Sequence, residues 1–338
     1  MKAVATTTTA SPPVREPAPT WLIWLALGTV YVVWGSTYLG IKVAIETLPS
    51  LAHGGARFFA AGVVVIVIVG LTRPASLRVT RAQLGTVAAV GVLLILGGNG
   101  LVAVGEEGVS SGLAALIIAA VPLWIVVLRA VFGDRPARAT LAGVAVGFLG
   151  VTVLLLPSGG GTSDPGHALL IVAASVSWAS GSYLATRRPM PASPFAATGL
   201  EMTFGGAVTF VVGLARGELS GFSLGQVSGR SWFALGYLVV FGSLIAFTAY
   251  VWLLENAPVS QVATYAYVNP AVAVLLGALI LSEPITPTVV VGGLVILTAV
   301  AVVVTEEGRR RRTPGTGAHV GRDRRADQHE GKRGLPRG

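Results

Sequence analysis

The chain has 338 residues, of which 53% are hydrophobic and only 12% are charged, and its formal net charge is +9. Soluble proteins carry roughly twice this share of charged residues, so the composition excludes an ordinary water-soluble domain and indicates a membrane protein. Cysteine is absent, which excludes disulfides, thiolate metal sites and a cysteine nucleophile.

Residues 1–20 are rich in Thr, Pro and Ala and contain no apolar stretch, so they predict a disordered cytoplasmic segment. The first apolar run begins at Trp21 and is too long for a signal peptide. We therefore expect this run to be retained as the first membrane-spanning helix.

A membrane-spanning helix needs about 20 predominantly apolar residues. Ten stretches meet this requirement, and we number them segments 1 to 10: 21–45, 52–71, 82–103, 109–131, 138–156, 166–185, 196–215, 230–254, 258–281 and 285–304. The connections between them are short, which leaves no room for a separate soluble domain. The predicted fold is an all-α integral membrane protein with ten transmembrane helices.

The Lys and Arg residues of the short loops predict the orientation of these helices. With a cytoplasmic N-terminus, ten such residues lie on the cytoplasmic side, and only Arg216 and Arg230 lie on the opposite side. Residues 306–338 add ten more on the cytoplasmic side. We therefore expect both termini in the cytoplasm, and we interpret residues 305–338 as a disordered basic tail that can lie on anionic lipid.

The isoelectric point near 10.5 follows from this topology and this tail. Nucleic-acid binding is disfavoured because the tail has no aromatic residues on which bases could stack. The four histidines do not have zinc-ligand spacing within an ordered stretch, and no metal site or cofactor is predicted. The expected partners are a small-molecule substrate, the lipid bilayer and, in one mechanism, protons; no obligate protein partner is predicted.

The second half of the sequence repeats the first. Segments 1 and 6 share one Trp, one Ser and one Tyr in the same order: Trp34, Ser36 and Tyr38 in segment 1, and Trp178, Ser180 and Tyr183 in segment 6. Trp34 and Trp178 are 144 residues apart, and the same offset places Arg57 of segment 2 over Glu201 of segment 7. The pattern predicts an internal duplication.

Segments 4 and 9 extend the repeat, because Pro122 matches Pro270 at an offset of 148 residues. Each half then holds five segments, over residues 21–156 and 166–304. Five is an odd number, so the second half must enter the membrane from the opposite side. Inverted repeats of this kind allow secondary transporters to open alternately to the two sides of the membrane.

Lys42, Arg57 and Glu201 are the clearest ionisable side chains inside the predicted helices. Lys42 is about 31 Å along the helix axis from Trp21, so we expect it at the outer interface, paired with Glu46. Arg57 has two interpretations: a helix-to-helix hydrogen bond, or contact with an anionic substrate or closure of an outer gate. Glu201 is the best candidate for proton coupling, with a structural hydrogen bond as the alternative.

Pro122 and Pro270 predict breaks near the middle of segments 4 and 9, because proline frees a carbonyl group one turn earlier. Polar and aromatic side chains near these breaks, and in the neighbouring segments, are the candidates for substrate binding: Trp34, Ser36, Tyr38, Arg57, Asn99, Trp124, Trp178, Tyr183, Tyr265, Tyr267 and Asn269. Such groups suit weakly polar, cationic or zwitterionic small molecules. Helix packing is the alternative for each one.

The stretches WGSTYLGIK (34–42) and SGLAALIIAAVPLW (111–124) resemble the drug/metabolite transporter superfamily, and the repeated unit resembles its EamA domain. GNGLVAV (98–104) and ATYAYVNPAVAVLLG (263–277) are most similar to its ten-span drug/metabolite exporters, the YedA-like proteins. The resemblance covers residues 21–304 and is specific for the family rather than for a substrate.

This resemblance implies two inverted five-helix EamA repeats around a central cavity, and export of amino acids, metabolites or toxic compounds. Four-span relatives couple transport to protons through a glutamate in the first helix. This chain has no acid there before Glu46, so that mechanism does not carry over. Proton antiport through Glu201 and facilitated export both stay open.

The leading hypothesis is an exporter in the cytoplasmic membrane that works by alternating access. An uptake permease is the second hypothesis, because the direction of flux depends on gradients. A membrane-embedded enzyme or receptor subunit is a remote third, since the sequence shows neither a reactive constellation nor a soluble domain.

Overall fold

A computed structural model describes residues 18–156 and 164–312. Within these two ranges every regular element is a helix, which confirms the all-α prediction. The predicted disorder of the N-terminal segment and of most of the tail falls on residues 1–17 and 313–338, which lie outside the described residues, as do residues 157–163.

Six of the ten segments form one continuous α-helix each: Thr20–Ala44, Ser50–Thr72, Arg138–Leu155, Pro165–Arg187, Pro194–Ala215 and Pro287–Arg312, in segments 1, 2, 5, 6, 7 and 10. Large apolar side chains stay exposed on them, such as Leu71 at 81% and Leu149 at 64%. Exposed apolar surface of this kind is stable against lipid and unstable in water.

Segments 3 and 8 each contain a π-helical section between two α-helical sections. The π sections are Val92–Gly100 and Leu238–Ile245, and they begin 146 residues apart, at corresponding places in the two halves. The flanking α-helices are Arg81–Gly91 and Leu101–Gly105 in segment 3, and Gly229–Tyr237 and Ala246–Asn256 in segment 8. π-Helices are rare in proteins and occur frequently at functional sites.

Segment 4 is broken where the sequence predicts. The helix Ser111–Ile118 ends, two residues follow, and a second helix, Val121–Val131, begins with Pro122 in its first turn. Proline suits this position because the first turn needs no N–H donor. All eight residues of Ser111–Ile118 are buried, so segment 4 lies at the centre of the bundle.

Segment 9 is also broken, but not at Pro270. A short helix, Val259–Val262, is followed by Tyr265–Leu281, and Pro270 lies inside the latter. The prediction that Pro270 interrupts the helix is therefore wrong. The break falls just before Tyr265, where the Thr264 hydroxyl donates to the Gln261 carbonyl at 2.6 Å and so competes with the helical ladder.

Nine helical stretches within the described ranges are long and apolar enough to cross a membrane. Segment 9 is the exception, because its main helix has 17 residues. That is about 26 Å at 1.5 Å per residue, short of a hydrocarbon core of about 30 Å. The structure thus gives nine full-length candidates and a shorter, broken tenth.

The helix of segment 10 continues past residue 304 to Arg312, so this part of the predicted disordered tail is helical. Glu307, on the extension, accepts a hydrogen bond from Arg129 at the end of segment 4. This ion pair holds the helical extension against the bundle. Hydropathy alone does not predict such a contact.

Segment 2 packs along segment 7, its counterpart in the other half. A Cβ atom on Gly55 would lie 2.8 Å from the carbonyl oxygen of Gly206, and one on Gly62 would lie 2.8 Å from that of Gly199. Gly55 and Gly199 are 144 residues apart, as are Gly62 and Gly206, so the contact is reciprocal. Glycine at these places allows the two backbones to touch.

Candidate functional site

Four aromatic rings cluster where segments 1, 8 and 9 meet. The ring centroid of Trp34 lies 5.0 Å from that of Tyr250, 5.4 Å from Tyr265 and 5.7 Å from Phe247. Tyr250 and Tyr265 are 5.6 Å apart and nearly perpendicular, at 87°. We call these four residues the aromatic cluster. Their ring faces provide an apolar surface with a negative electrostatic potential, which attracts organic cations.

Irregular backbone surrounds the aromatic cluster. On one side, the indole Nε1 of Trp34 donates to the carbonyl oxygen of Gly242, in the π section of segment 8, at 3.2 Å. On the other, the hydroxyl of Tyr31 hydrogen-bonds to that of Thr264 at the break in segment 9. Within a membrane, irregular backbone is tolerated only where protein covers it or where it lines a cavity.

The equivalent tryptophan of the second half lies at the equivalent place, although its contact is packing rather than a hydrogen bond. Trp178 packs on the π section of segment 3, where a Cβ atom on Gly98 would lie 2.9 Å from its Cε3 atom. Both Trp34 and Trp178, and Gly98 and Gly242, are 144 residues apart. Each half therefore places its tryptophan against the π-helix of the other.

Arg57 is only 5% exposed and reaches from segment 2 to segment 8. Its Nε donates to the hydroxyl of Ser243 at 3.0 Å, and its guanidinium lies 4.5 Å from the ring centroid of Phe58. The helix-to-helix hydrogen bond, one of the two interpretations, is therefore present. A role of Arg57 toward substrate stays a prediction.

Ser36 and Asn99 have local partners. The Ser36 hydroxyl lies 2.8 Å from the Val33 carbonyl and 2.5 Å from the Tyr237 hydroxyl, which joins segments 1 and 8. The Asn99 side-chain amide donates at 3.1 Å to the carbonyl of Leu94, five residues earlier in the π section. Ser36 therefore links two helices, whereas Asn99 stabilises the π section in which it lies.

Two other predicted residues lie apart from the aromatic cluster. Trp124 packs on Phe148 of segment 5 with ring centroids 4.4 Å apart. Tyr183 stacks on Phe132 at 5.4 Å and accepts a hydrogen bond from Arg187 at 2.9 Å. Among the described residues, neither ring contacts the aromatic cluster, and these contacts are those of packing.

Asn269 and Tyr267 follow Tyr265 in segment 9. Asn269 is 7% exposed, and its side-chain oxygen has no hydrogen-bond partner among the described residues. Its backbone carbonyl faces Gly35 of segment 1, where a Cβ atom would lie 3.0 Å away. A buried amide oxygen without a partner is costly, which makes it a candidate to bind a ligand. Tyr267 is partly buried.

Lys42 does not pair with Glu46, so that prediction is wrong. Its Nζ donates to the backbone carbonyls of Glu106 and Val109, the latter at 2.9 Å, in the turn between segments 3 and 4. Glu46 lies 3.6 Å from Arg230 instead. Glu106 stands at the C-terminal end of the helix Leu101–Gly105, where carbonyl groups carry partial negative charge and attract a cation such as Lys42.

Glu201 is partly buried on segment 7, where its backbone packs on Gly91 of segment 3. No ion pair joins its carboxylate to another described residue. Its role in proton coupling stays a prediction. Tyr38 is partly buried and packs against the main core of the bundle.

Two acids of the second half cap helices of the first. The carboxylate of Glu218 accepts from the backbone N–H of Ala52 at 2.9 Å, at the start of segment 2. That of Glu283 accepts from the N–H groups of Ser111 at 2.8 Å and Gly112 at 3.2 Å, at the start of segment 4. Both contacts satisfy N–H groups that lack partners within their helix.

Sequence reasoning missed Tyr250, Phe247 and Glu106. Phe247 and Tyr250 are three residues apart, so they lie on one face of a helix, and this spacing of two aromatic residues was the available signal. Glu106 is completely buried. Its signal was the turn GEEGVS (105–110), which is too short to carry an acid far from the bundle.

The family comparison decides the class of the protein. The EamA-like transporter family matches residues 20–156 and 166–305. The chain belongs to this family. As an EamA-like protein it is a membrane transporter, which agrees with the expectation of a drug/metabolite transporter and of a protein that is not an enzyme.

Several curated relatives align with most of this chain. The inner membrane transporter YedA of Escherichia coli (strain K12) is 39% identical, over 75% of this chain and 80% of its own. A probable terminal-alkyne amino-acid exporter of Streptantibioticus cattleyicolor is 29% identical, over 87% of this chain and 97% of its own. A probable amino-acid metabolite efflux pump of Salmonella typhimurium is 26% identical, over 80% and 91%.

One solved protein structure shares the fold. It aligns over 86% of this chain and 98% of its own, with a TM-score of 0.56 and 21% sequence identity. At this identity the likeness concerns the fold alone.

Proposed function

We propose that this protein exports small amino-acid-like or drug-like metabolites across the cytoplasmic membrane by alternating access. In this proposal two inverted five-helix repeats enclose a central cavity, and both termini lie in the cytoplasm. The positive charge of the loops on one side supports the orientation. YedA, named as an inner membrane transporter, supports the location.

The observation that carries this proposal is the reciprocal contact of the tryptophans with the π sections. Trp34 donates a hydrogen bond to the Gly242 carbonyl, and Trp178 packs on Gly98, with the same offset of 144 residues between the halves. A contact made twice between two repeats can lengthen on one side while its counterpart tightens on the other. Paired contacts of this kind between inverted repeats support alternating access.

The aromatic cluster and Asn269 support the substrate class. The rings of Trp34, Tyr250 and Tyr265 suit an ammonium group or an apolar side chain. The amide oxygen of Asn269 has no hydrogen-bond partner among the described residues, so it can accept a hydrogen bond from a protonated amine. Relatives named as amino-acid exporters or efflux pumps agree with amine-bearing metabolites.

A flux assay in proteoliposomes tests the proposal. The purified protein is offered amino acids, nucleosides and cationic dyes, and Trp34→Ala is compared with Trp24→Ala, whose side chain is 58% exposed and away from the cluster. We expect flux of at least one amine-bearing class, at least tenfold lower in Trp34→Ala and unchanged in Trp24→Ala. Correctly inserted protein without flux of any class would refute the proposal.

The direction of transport needs a second assay. Cells that overproduce the protein should accumulate less of the transported compound than control cells, and an uncoupler should remove the difference if protons drive export. Greater accumulation would favour the uptake permease instead.

A further inference from the structure

Glu106 is a completely buried acid in the turn that joins segments 3 and 4. Neither oxygen of its carboxylate has a hydrogen-bond partner among the described residues. Glutamate is almost never buried without a partner, because the loss of water around a charged carboxylate costs far more than one hydrogen bond returns. Burial without a partner therefore favours the neutral, protonated form of the Glu106 carboxyl over its charged form.

The nearest cation does not neutralise the carboxylate directly. Lys42 of segment 1 donates to the backbone carbonyls of Glu106 and Val109, and no ion pair within 4.0 Å joins its Nζ to the Glu106 carboxylate among the described residues. Glu283, which follows segment 9, adds a negative charge nearby, but Ser111 and Gly112 satisfy its oxygens. Of these two acids, Glu106 is the one whose carboxylate has no hydrogen-bond partner in the part of the chain that the structure describes.

Other titratable groups surround the turn. Tyr38 of segment 1 lies close enough to Glu106 for an electrostatic interaction. Further titratable groups beside the turn are Asp164 and His167 at the start of segment 6, which pair with each other at 3.2 Å, and Glu107, to which Ser50 of segment 2 donates. His53 of segment 2 is buried and bonded to the Pro49 carbonyl at 2.8 Å. None of these donates a hydrogen bond to the Glu106 carboxylate.

The electrostatics agree with this geometry. Glu106 lies between two spans, and its burial raises the pKa of the carboxyl well above the usual range. The nearby Lys42 ammonium opposes this increase in pKa, while Glu283 adds to it. Desolvation is the largest of the three effects, so removal of the surrounding protein lowers the pKa again.

We propose that Glu106 binds a proton from the outer side of the membrane and that this proton holds the outer side closed. The inference deepens the proposed function, since it rests on alternating access and on the predicted orientation. When the outer side opens, water reaches the carboxylate, the proton leaves to the external solution, and the charged group stays hydrated. When the outer side closes, an external proton binds to a carboxylate oxygen, and the neutral acid is buried again.

The sign of the pH dependence follows directly. The closed form binds the proton more tightly than the open form does, so external acid favours the closed form and external alkali favours the open form. The turn suits this role because it joins segments 3 and 4, holds Lys42 of segment 1, and lies beside Glu283 of the second half. Protonation of Glu106 changes the charge of this turn and so affects the contact between the first half and Glu283 of the second half.

Cysteine accessibility tests this proposal without knowledge of the substrate, because the natural chain contains no cysteine. Ala114→Cys places a thiol on segment 4 at a position that is 0% exposed, one turn inside its outer end. A membrane-impermeant thiol reagent is added to intact cells at external pH 5.5 to 8.5, with Ser220→Cys in an exposed loop as the reference for the pH dependence of the reagent. The variants compared in this background are Glu106→Gln, Glu106→Asp and Glu107→Gln.

We expect labelling of Ala114→Cys, relative to Ser220→Cys, to rise at least fivefold from the acidic to the alkaline end of the series. Glu106→Gln should keep the acidic level at every pH, because a neutral amide imitates the protonated acid. Glu106→Asp should retain the pH response with a shifted midpoint, and Glu107→Gln, on the exposed neighbouring acid, should behave as the parent.

An unchanged pH response in Glu106→Gln would overturn the inference, as would labelling of the parent that does not depend on pH. Neither result alone would refute export. If substrate still changes the labelling or flux is still measured, alternating access stands and only the role of Glu106 fails. Loss of flux in the parent protein would refute the proposed function instead.

Discussion

The backbone of Gly55 in the first half touches that of Gly206 in the second, where a Cβ atom on Gly55 would meet the Gly206 carbonyl oxygen at 2.8 Å. Gly62 and Gly199 repeat the contact at 2.8 Å. This pairing of segments 2 and 7 joins the two halves at one place through backbone alone, so any side chain there must separate them.

Gly55→Ala should therefore destabilise the protein, while Gly54→Ala should not, because a Cβ atom on Gly54 meets nothing within 4 Å. Overpacking of a close contact costs about 1–3 kcal/mol. Thermal unfolding in detergent measures both variants, and we expect a lower Tm for Gly55→Ala only. Equal Tm values would show that segments 2 and 7 can separate without cost.

Trp34→Phe should lower export, because it keeps a ring in the aromatic cluster but removes the indole N–H that donates to Gly242 at 3.2 Å. The loss of one neutral hydrogen bond costs about 0.5–1.5 kcal/mol. Where the bond is present in only one of the two open states, this cost changes the transport rate about two- to tenfold. Initial flux rates test this. Trp124→Phe, in a ring that packs on Phe148, is the control and should leave the rate within twofold.

Glu283→Ala should destabilise the start of segment 4, since its carboxylate accepts from the N–H groups of Ser111 and Gly112. Removal of a helix cap typically costs about 0.5–2 kcal/mol. Glu46→Ala is the control, because its ion pair with Arg230 is 3.6 Å long and partly exposed, and such pairs contribute about 0–1 kcal/mol. A denaturant series in detergent should rank the two variants in this order; the reverse order would contradict the capping role.

Arg57 and Ser243 should behave as one unit in stability. Each single variant, Arg57→Gln and Ser243→Ala, breaks the same 3.0 Å hydrogen bond, so the double variant should lose less stability than the sum of the two. Coupling energies for contacting residues are about 0.5–3 kcal/mol. A double-mutant cycle of unfolding free energies measures this, and full additivity would show that the bond contributes nothing.

Glu201→Gln tests the coupling of export to protons. If Glu201 carries the coupling proton, its variant should transport substrate at the same rate with or without an imposed pH gradient, whereas the parent should be accelerated by the gradient. The measurement is flux into proteoliposomes whose internal and external pH differ by about one unit. An unchanged response in Glu201→Gln would remove Glu201 from this role.

Much of the fold could be predicted from local sequence. Long apolar runs such as Ser50–Thr72 identify their helices, because a membrane requires length and hydropathy and little else. Pro122 predicts its break because it stands where a new helix begins. Pro270 is a proline as well, but it does not break its helix. The helix Tyr265–Leu281 tolerates the missing backbone hydrogen bond at this proline.

The candidate site was predicted less completely. Trp34 and Tyr265 lie in the aromatic cluster, as the polar and aromatic pattern suggested, but Phe247 and Tyr250 complete it from segment 8. Tyr183 is a tyrosine like Tyr265, but it packs on Phe132 and not in the aromatic cluster. The sequence shows which residues are aromatic. Which of these rings are in contact depends on the packing of helices that are far apart in the sequence.

The sequence by itself determined that this chain is a helical membrane protein with two related halves, because hydropathy and repetition are properties of the chain alone. Only the tertiary structure decided that Lys42 bonds to the turn at Glu106 rather than to Glu46, and that the Glu106 carboxylate is buried without a hydrogen-bond partner among the described residues. The physical reason is that hydrogen-bond partners and exclusion of water are set by residues of other helices, which no local pattern records.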